Sequence, residues 1–258
     1  MSMMIIKGAY RIGLYSLSII LFLTIWYLLS TYGPTGFTLV PPPNVVFQTL
    51  IKLISKGVLF EHARASLFRV GTGFFAAVVT AIPLGFLIGW YKTVKYLSDP
   101  ILNLLRTTPP LAFIPLIIMY FGIGEFAKIS VIWICDFFVL VVVVSQAVIN
   151  TDATLIKAAR VLGAQDKDIF LRVVVPASFP AILTGCRVAV GTGWMTLVAA
   201  ELIAAHSGLG YMIEDALRYF NVDVIIAGII TIGVIGLAMD GTVRYIERKL
   251  TGWVERAG

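Results

Sequence analysis

Long apolar runs separated by short polar stretches dominate this chain. A helix needs about 20 predominantly apolar residues to cross the hydrocarbon core of a bilayer. Runs of that kind fall at roughly 12–32, 66–91, 101–121, 126–149, 178–205 and 222–246. The pattern predicts an all-α, polytopic membrane protein with six transmembrane helices. The third run is the least regular, because Pro109, Pro110 and Pro115 each remove a backbone donor. Irregular backbone at membrane depth is tolerated only where protein or a water-filled path surrounds it, so this run is expected to face the interior. Pro83 is expected to kink the second run. The first run exceeds a signal-peptide core and no small-x-small cleavage pattern follows it, so it reads as an uncleaved span.

Two connections carry patterns of their own. After Pro41-Pro42-Pro43, the pairs Val45/Val46, Thr49/Leu50 and Leu53/Ile54 recur every four residues. That spacing predicts a short amphipathic helix, suited to lying on the membrane surface. The chain thus divides into 1–65, a first span with this outer segment, and 66–258, a core containing a polar loop at about 150–178. In the loop, Asp152 can cap a helix through Leu155, Ala158, Ala159 and Leu162, and Gly163 can stop it. Asp166 can then cap a second helix from Ile169 to Val174, ended by Pro176.

Composition agrees with a lipid-facing surface: 59% of the 258 residues are hydrophobic and 13% charged, against about 25% charged in soluble domains. The net charge of +6 does not point to nucleic acid, because the basic residues never cluster with interleaved aromatics. They are instead sided. With both termini on one side, that side holds Lys7, Arg11, Lys92, Lys95, Arg106, Lys157, Arg160, Lys167, Arg172, Arg244, Arg248, Lys249 and Arg256. Opposite lie Lys52, Lys56, Arg64, Lys128 and Arg218. The positive-inside rule places both termini in the cytoplasm. Cys135 and Cys186 read as small buried residues at different depths, without a metal or a disulfide. His62 and His206 stand without a Ser/His/Asp or paired-His arrangement, so no enzyme site is expected.

The stretch Lys157-Ala158-Ala159-Arg160-Val161-Leu162-Gly163-Ala164, followed by Phe170, Val173, Pro176, Pro180 and Gly185, resembles the EAA loop of the inner-membrane permeases of ATP-binding-cassette (ABC) importers. Further matches are Leu39-Val40-Pro41-Pro42-Pro43, Thr108 to Leu116, Phe121 to Glu125, and Leu197 to Ala205 with Gly208-Leu209-Gly210. They extend the resemblance over nearly the whole chain. They narrow it to the nitrate, sulfonate, taurine and bicarbonate permeases, with the last stretch most like taurine permeases. The resemblance implies a type I ABC importer permease fold in the cell inner membrane. It also implies a second permease copy, two ATPase subunits that bind ATP and Mg, and an extracytoplasmic solute-binding protein. No glycine here is followed by lysine, so the phosphate-cradling motif is absent and ATP chemistry is expected in a partner.

The implied ATPase-coupling surface runs through Lys157, Ala158, Ala159, Gly163, Ala164, Asp166 and Phe170. The family role carries over only to Ala158, Ala159, Gly163 and Ala164, because Lys157 stands where the family has an acidic residue. For the translocation pathway the candidates are Pro109, Pro110, Asp136, Arg187, Trp194 and Glu201. Ionisable groups inside spans mark function by default. Two readings stay open for each: a group facing the solute, or a satisfied structural pair, with Asp240 the more structural. A secondary transporter or channel working without an ATPase is the competing function; internal repeats, its expected signature, are not evident.

Overall fold

A computed structural model describes the backbone of residues 2–33 and 40–252 and, from residue 13 onward, the side chains of all of these but Ala204. Leu39 and Arg256 lie outside the described residues, as do the side chains of Lys7 and Arg11. Every element among the described residues is helical. Helix α1 covers Ser2–Tyr32, α2 Pro43–Ser55, α3 Val58–Trp90 and α4 Lys92–Thr107. A 3₁₀ turn at Pro110–Phe113 leads into α5, Ile114–Phe121, and α6 is Glu125–Ile149. Helix α7 is Ala153–Val161, and α8, Asp166–Ile169, runs through a π-helical stretch, Phe170–Val174, into α9, Val175–Ala204. Helices α10, Leu209–Arg218, and α11, Val222–Leu250, complete the order.

Among the described residues, five helices are long and apolar enough to cross a membrane, and a sixth crossing exists if α4 and the Pro110–Phe121 segment count as one bent span. The bend is 92°, which corrects the expectation of a single helix at 101–121. Its cause is the Thr108-Pro109-Pro110 sequence. A residue before proline is pushed out of the helical region, and both Thr108 and Pro109 are extended. Two successive prolines also remove two amide donors, so the ladder cannot cross the break. Helix α4 buries no residue of its own.

A second correction concerns Pro176, which does not end the second loop helix. The π-helical stretch at Phe170–Val174 resets the hydrogen-bond register, and Pro176 falls in the first turn of α9. There a missing N–H costs little. The loop's second helix is therefore the start of the fifth span, a continuous Asp166–Ile203 rod of 38 residues. A bilayer needs about 20, so this rod extends well past the hydrocarbon.

The residues gather into two compact units, Met1–Glu61 with Met212–Thr231, and His62–Tyr211 with Ile232–Gly258. Within the first, α2 buries Val46 and Thr49 of its repeating pairs while Ile54 stays 61% exposed, and the Thr49 hydroxyl donates to Asp223 Oδ2 at 2.6 Å. Within the second, Ala77, Ala81 and Ile88 of α3 pack on Leu140 and Val141 of α6 and Ala189 of α9. Glycines bring α3 and α6 together: a Cβ on Gly85 would stand 2.6 Å from that of Val144, and one on Gly89 2.5 Å from that of Val148. Gly185 of α9 meets Val143 of α6 as closely. Gly85, Gly89 and Gly185 thus serve close helix packing within this chain.

Candidate functional site

The loop between α6 and α9 is a helix, a glycine turn and a helix. Asp152 caps α7, its Oδ1 accepting from the Thr154 N–H at 2.8 Å. That bond holds the Asp152 carboxyl below its usual range, because a donated hydrogen bond favours the charged form. Gly163 has φ +81°, a left-handed conformation that ends a helix at little cost only for glycine. Asp166 is not a cap as expected. Gln165 holds that position without a side-chain bond, and Asp166 opens α8, where a carboxylate still suits the positive end of the helix.

The loop is anchored from one face only. Ile156, Ala159, Ala164, Phe170 and Val173 pack around buried Val148, Ile169 and Val174, beside Phe86 and Trp90 of α3. Phe170 fixes the position, its ring edge-on to Phe86 at 5.7 Å and tilted on Trp90 at 5.3 Å. The opposite face is bare: Lys157, Ala158, Gly163 and Asp166 are exposed, and so are Val161 at 87% and Leu162 at 86%. The implied coupling residues thus separate into an anchoring set, Ala159, Ala164 and Phe170, and an outward set, Lys157, Ala158, Gly163 and Asp166.

Glu201 lies in an ionic network that the sequence did not suggest, buried at Arg69, Glu201 and Ser66 and open to the outside at Glu125. Arg69 of α3 places all five of its N–H groups. Nε and Nη2 bond Glu125 at 2.6 and 2.7 Å, Nη1 bonds Glu201 at 2.5 Å, and Nη1 and Nη2 bond the Ser207 carbonyl and hydroxyl, each at 2.7 Å. Glu201 also accepts from the Ser66 hydroxyl at 2.9 Å and from the Gly210 N–H at 2.9 Å. Lys128 closes the network on Glu125 at 3.0 Å. Gly208, with φ +114°, makes the closure possible, since a Cβ there would run into the Glu201 carboxylate and the Arg69 guanidinium. Glu201 therefore presents its charge to its own chain.

The other pathway candidates scatter. Arg187 forms a two-point pair with Asp240, Nε to Oδ1 at 2.5 Å and Nη2 to Oδ2 at 3.1 Å, and Arg244 joins at 2.7 Å. Trp194 is buried between α9 and α11, its indole N–H donating to the Ile232 carbonyl at 3.2 Å, with Gly236 beneath the ring. Asp136 is fully buried against Gly193, and neither of its oxygens has a partner among the described residues. Pro110 borders a cavity of about 370 Å³ shared with Arg106, Thr108, Phe113, Cys135 and Thr192, while Pro109 is exposed and does not line it.

A family model for the binding-protein-dependent transport system inner membrane component matches residues 81–252. The chain belongs to that family. The permease is 48% identical over 232 residues to a probable ABC transporter permease protein of Brucella abortus, covering 90% of this chain and 92% of the relative. It is 38% identical over 236 residues to the taurine transport system permease protein TauC of Escherichia coli, covering 90% and 86%. An aliphatic sulfonates transport permease protein of Bacillus subtilis is 37% identical over 90% of the chain and 84% of the relative. Among solved structures, inward-facing MetNI methionine ABC transporter shares the fold, with TM-score 0.67 and 19% identity over 79% of this chain and 99% of that one. The permease is accordingly a multi-pass component of the inner membrane, of the type I importer fold, and ATPase and solute-binding functions belong to other subunits of such systems.

Sequence reasoning missed Arg69, Glu125 and Ser66. The usable signal was charge complementarity: Arg69 and Glu201 are in-span charges of opposite sign, each set in the outer half of its run. Pairing them is the first hypothesis for any two such groups.

Proposed function

We propose that this permease imports a small anion, taurine or another alkanesulfonate, by alternating access driven by a separate ATPase that docks on the loop from Ala153 to Ala164. In this reading two copies form the membrane pathway, both termini face the cytoplasm, and an extracytoplasmic binding protein delivers the solute. The observation that carries it is the one-sided loop: Phe170 and Ile169 fix its inner face while Val161 and Leu162 stand bare in water at its tip. Exposed apolar side chains on a rigidly anchored element favour a protein partner. The positive-inside count supports the side, because it sets the loop where an ATPase has ATP. Sulfonate is favoured by the taurine and aliphatic-sulfonate relatives.

Lys157 alters the surface expected of the family. An ammonium there offers the ATPase a donor in place of an acceptor, so the ATPase group that meets it is an acidic residue or a carbonyl. For the pathway, the proline break and its cavity beside α6 and α9 are the best-supported segment, and Asp136, without a partner among the described residues, outranks Glu201.

The test is ATP-dependent uptake of labelled taurine into vesicles carrying the permease, its ATPase and its binding protein. Leu162→Asp, a substitution at an exposed site, is expected to leave the permease folded and to lower uptake at least about ten-fold by removing apolar contact at a docking centre. Uptake driven by an ion gradient through this chain alone would refute the reading.

A further inference from the structure

Helices α9 and α11 leave an open groove of about 560 Å³, lined by Pro180, Thr184 and Arg187 on one side and Arg244, Glu247 and Arg248 on the other. The lining positions recur at helical spacing on both elements, so two stripes face each other. We propose that this groove binds a tetrahedral oxyanion, the sulfonate or phosphate group of a small anion or a lipid headgroup.

The charge inventory is the first argument. Three guanidiniums face two carboxylates, Asp240 and Glu247. Asp240 is shared between Arg187 and Arg244 through both of its oxygens. Glu247 accepts the Thr184 hydroxyl at 2.7 Å and has no basic partner within salt-bridge distance among the described residues. Arg248 likewise has no ion-pair partner among the described residues. One positive charge is therefore in excess, and the donors left over, Nη1 of Arg187 and the Arg248 fork, border the same space. A planar fork with free N–H groups suits phosphate and sulfonate oxygens.

Rigidity is the second. Arg187 is held by a two-point bond, so its remaining N–H groups point in a fixed direction before any ligand arrives. Position is the third: the groove lies toward the C-terminal end of α11, where the apolar run gives way to Arg244, Arg248 and Lys249, and basic pockets between helices at span ends suit anionic headgroups. The volume falls within the range of small-ligand sites. The inference does not depend on the identity of the transported solute, and it holds if that solute is not a sulfonate.

The full chain, purified and stripped of lipid in detergent, tests this with three probes: methanesulfonate, inorganic phosphate and phosphatidylglycerol. The free anions are followed by calorimetry, the lipid by native mass spectrometry. Arg248→Gln removes an exposed guanidinium with no ion-pair partner among the described residues, so folding is not at stake, and it is expected to weaken whichever probe binds by about ten-fold. Glu247→Gln is expected to tighten the same probe, a change of sign that a purely structural role would not produce. Arg172→Gln, an exposed arginine in the loop, is expected to leave binding unchanged. A response confined to phosphatidylglycerol assigns the groove to lipid headgroups, and a response to the free anions assigns it to a small anion. Absence of binding by all three probes, or equal binding by wild type and Arg248→Gln, overturns the proposal. Failure here leaves the ATPase-docking role intact, since Leu162 lies outside the groove.

Discussion

Glu201 and Asp136 are both carboxylates on membrane-spanning helices, and both are sealed from solvent, yet their surroundings are opposite. Glu201 receives bonds from Arg69, Ser66 and the amide of Gly210. Asp136 receives none from the described residues, and Gly193 lies against it where any side chain would collide with its oxygens. Burial of a charge therefore says little about its role until its partners are counted. A carboxylate enclosed by donors fixes helices in register. One left alone costs free energy in the state observed, and a role in another state is one way to account for that cost. The contrast gives Glu201 partners within its own chain and leaves Asp136 as the candidate for a role in the transport cycle.

The largest effect is expected from removing the centre of the Glu201 network. Arg69→Leu leaves Glu201 buried without its counter-charge and releases Glu125 and the Ser207 turn together. Breaking one partner of a buried ion pair typically costs about 3–5 kcal/mol. SDS titration of the purified chain is expected to show that loss, and Arg69→Leu combined with Glu201→Leu is expected to recover part of it. Near-native stability of the single variant would mean that the network does not hold the helices, and the contrast with Asp136 would collapse.

What the sequence disclosed follows from the scale of each signal. Apolar runs report solvent, so the spans at 126–149 and 222–246 match α6 and α11 within a few residues. The Asp152 cap and the Gly163 turn are local events with local residues, and both were legible. The break at Pro109 was visible as irregularity but not as a 92° bend, because a span was assumed to be one helix. The passage of the chain through Pro176 was hidden for the opposite reason: proline is a stop signal only when the register is α-helical, and a π-helical stretch changed the register first. Helix α10 went unseen because it is short and lies between two longer runs. The ionic network was least legible, since Ser66, Arg69, Glu125 and Glu201 meet only after three separate helices have packed.

Gly193→Ala tests the other side of the comparison. A methyl there would stand 2.6 Å from both Asp136 oxygens, so α6 and α9 must part or the carboxylate must move. Overpacking of this kind costs about 1–3 kcal/mol, and the same SDS titration reads it. Asp136→Ala is expected to have the opposite sign: deleting an unpartnered buried polar group raises stability by about 1 kcal/mol. If taurine uptake falls in a variant that is more stable, Asp136 serves the cycle. A stable variant with wild-type uptake would make Asp136 a cost without a use, and the pathway assignment would fail.

The smallest effect belongs to the exposed carboxylate with a single partner. Asp152 differs from both buried groups in having water on one side and one backbone donor on the other, so its contribution is local to the start of α7. Asp152→Ala is expected to speed amide exchange at Thr154 by about five-fold, without altering the network or the spans. Asp152→Asn keeps an acceptor at the same point and is expected to lie much closer to wild type. The pH dependence has a fixed sign. The folded carboxyl titrates below its unfolded value of about 3.9. Its stabilisation is therefore complete above that value and disappears as pH falls through the lower folded value. Lowering the pH from 7 to 5 should leave the cap intact, whereas acidification below about 3.9 should bring the wild type toward Asp152→Ala. A loss already complete at pH 5 would mean that another group, not Asp152, holds the first turn of the loop.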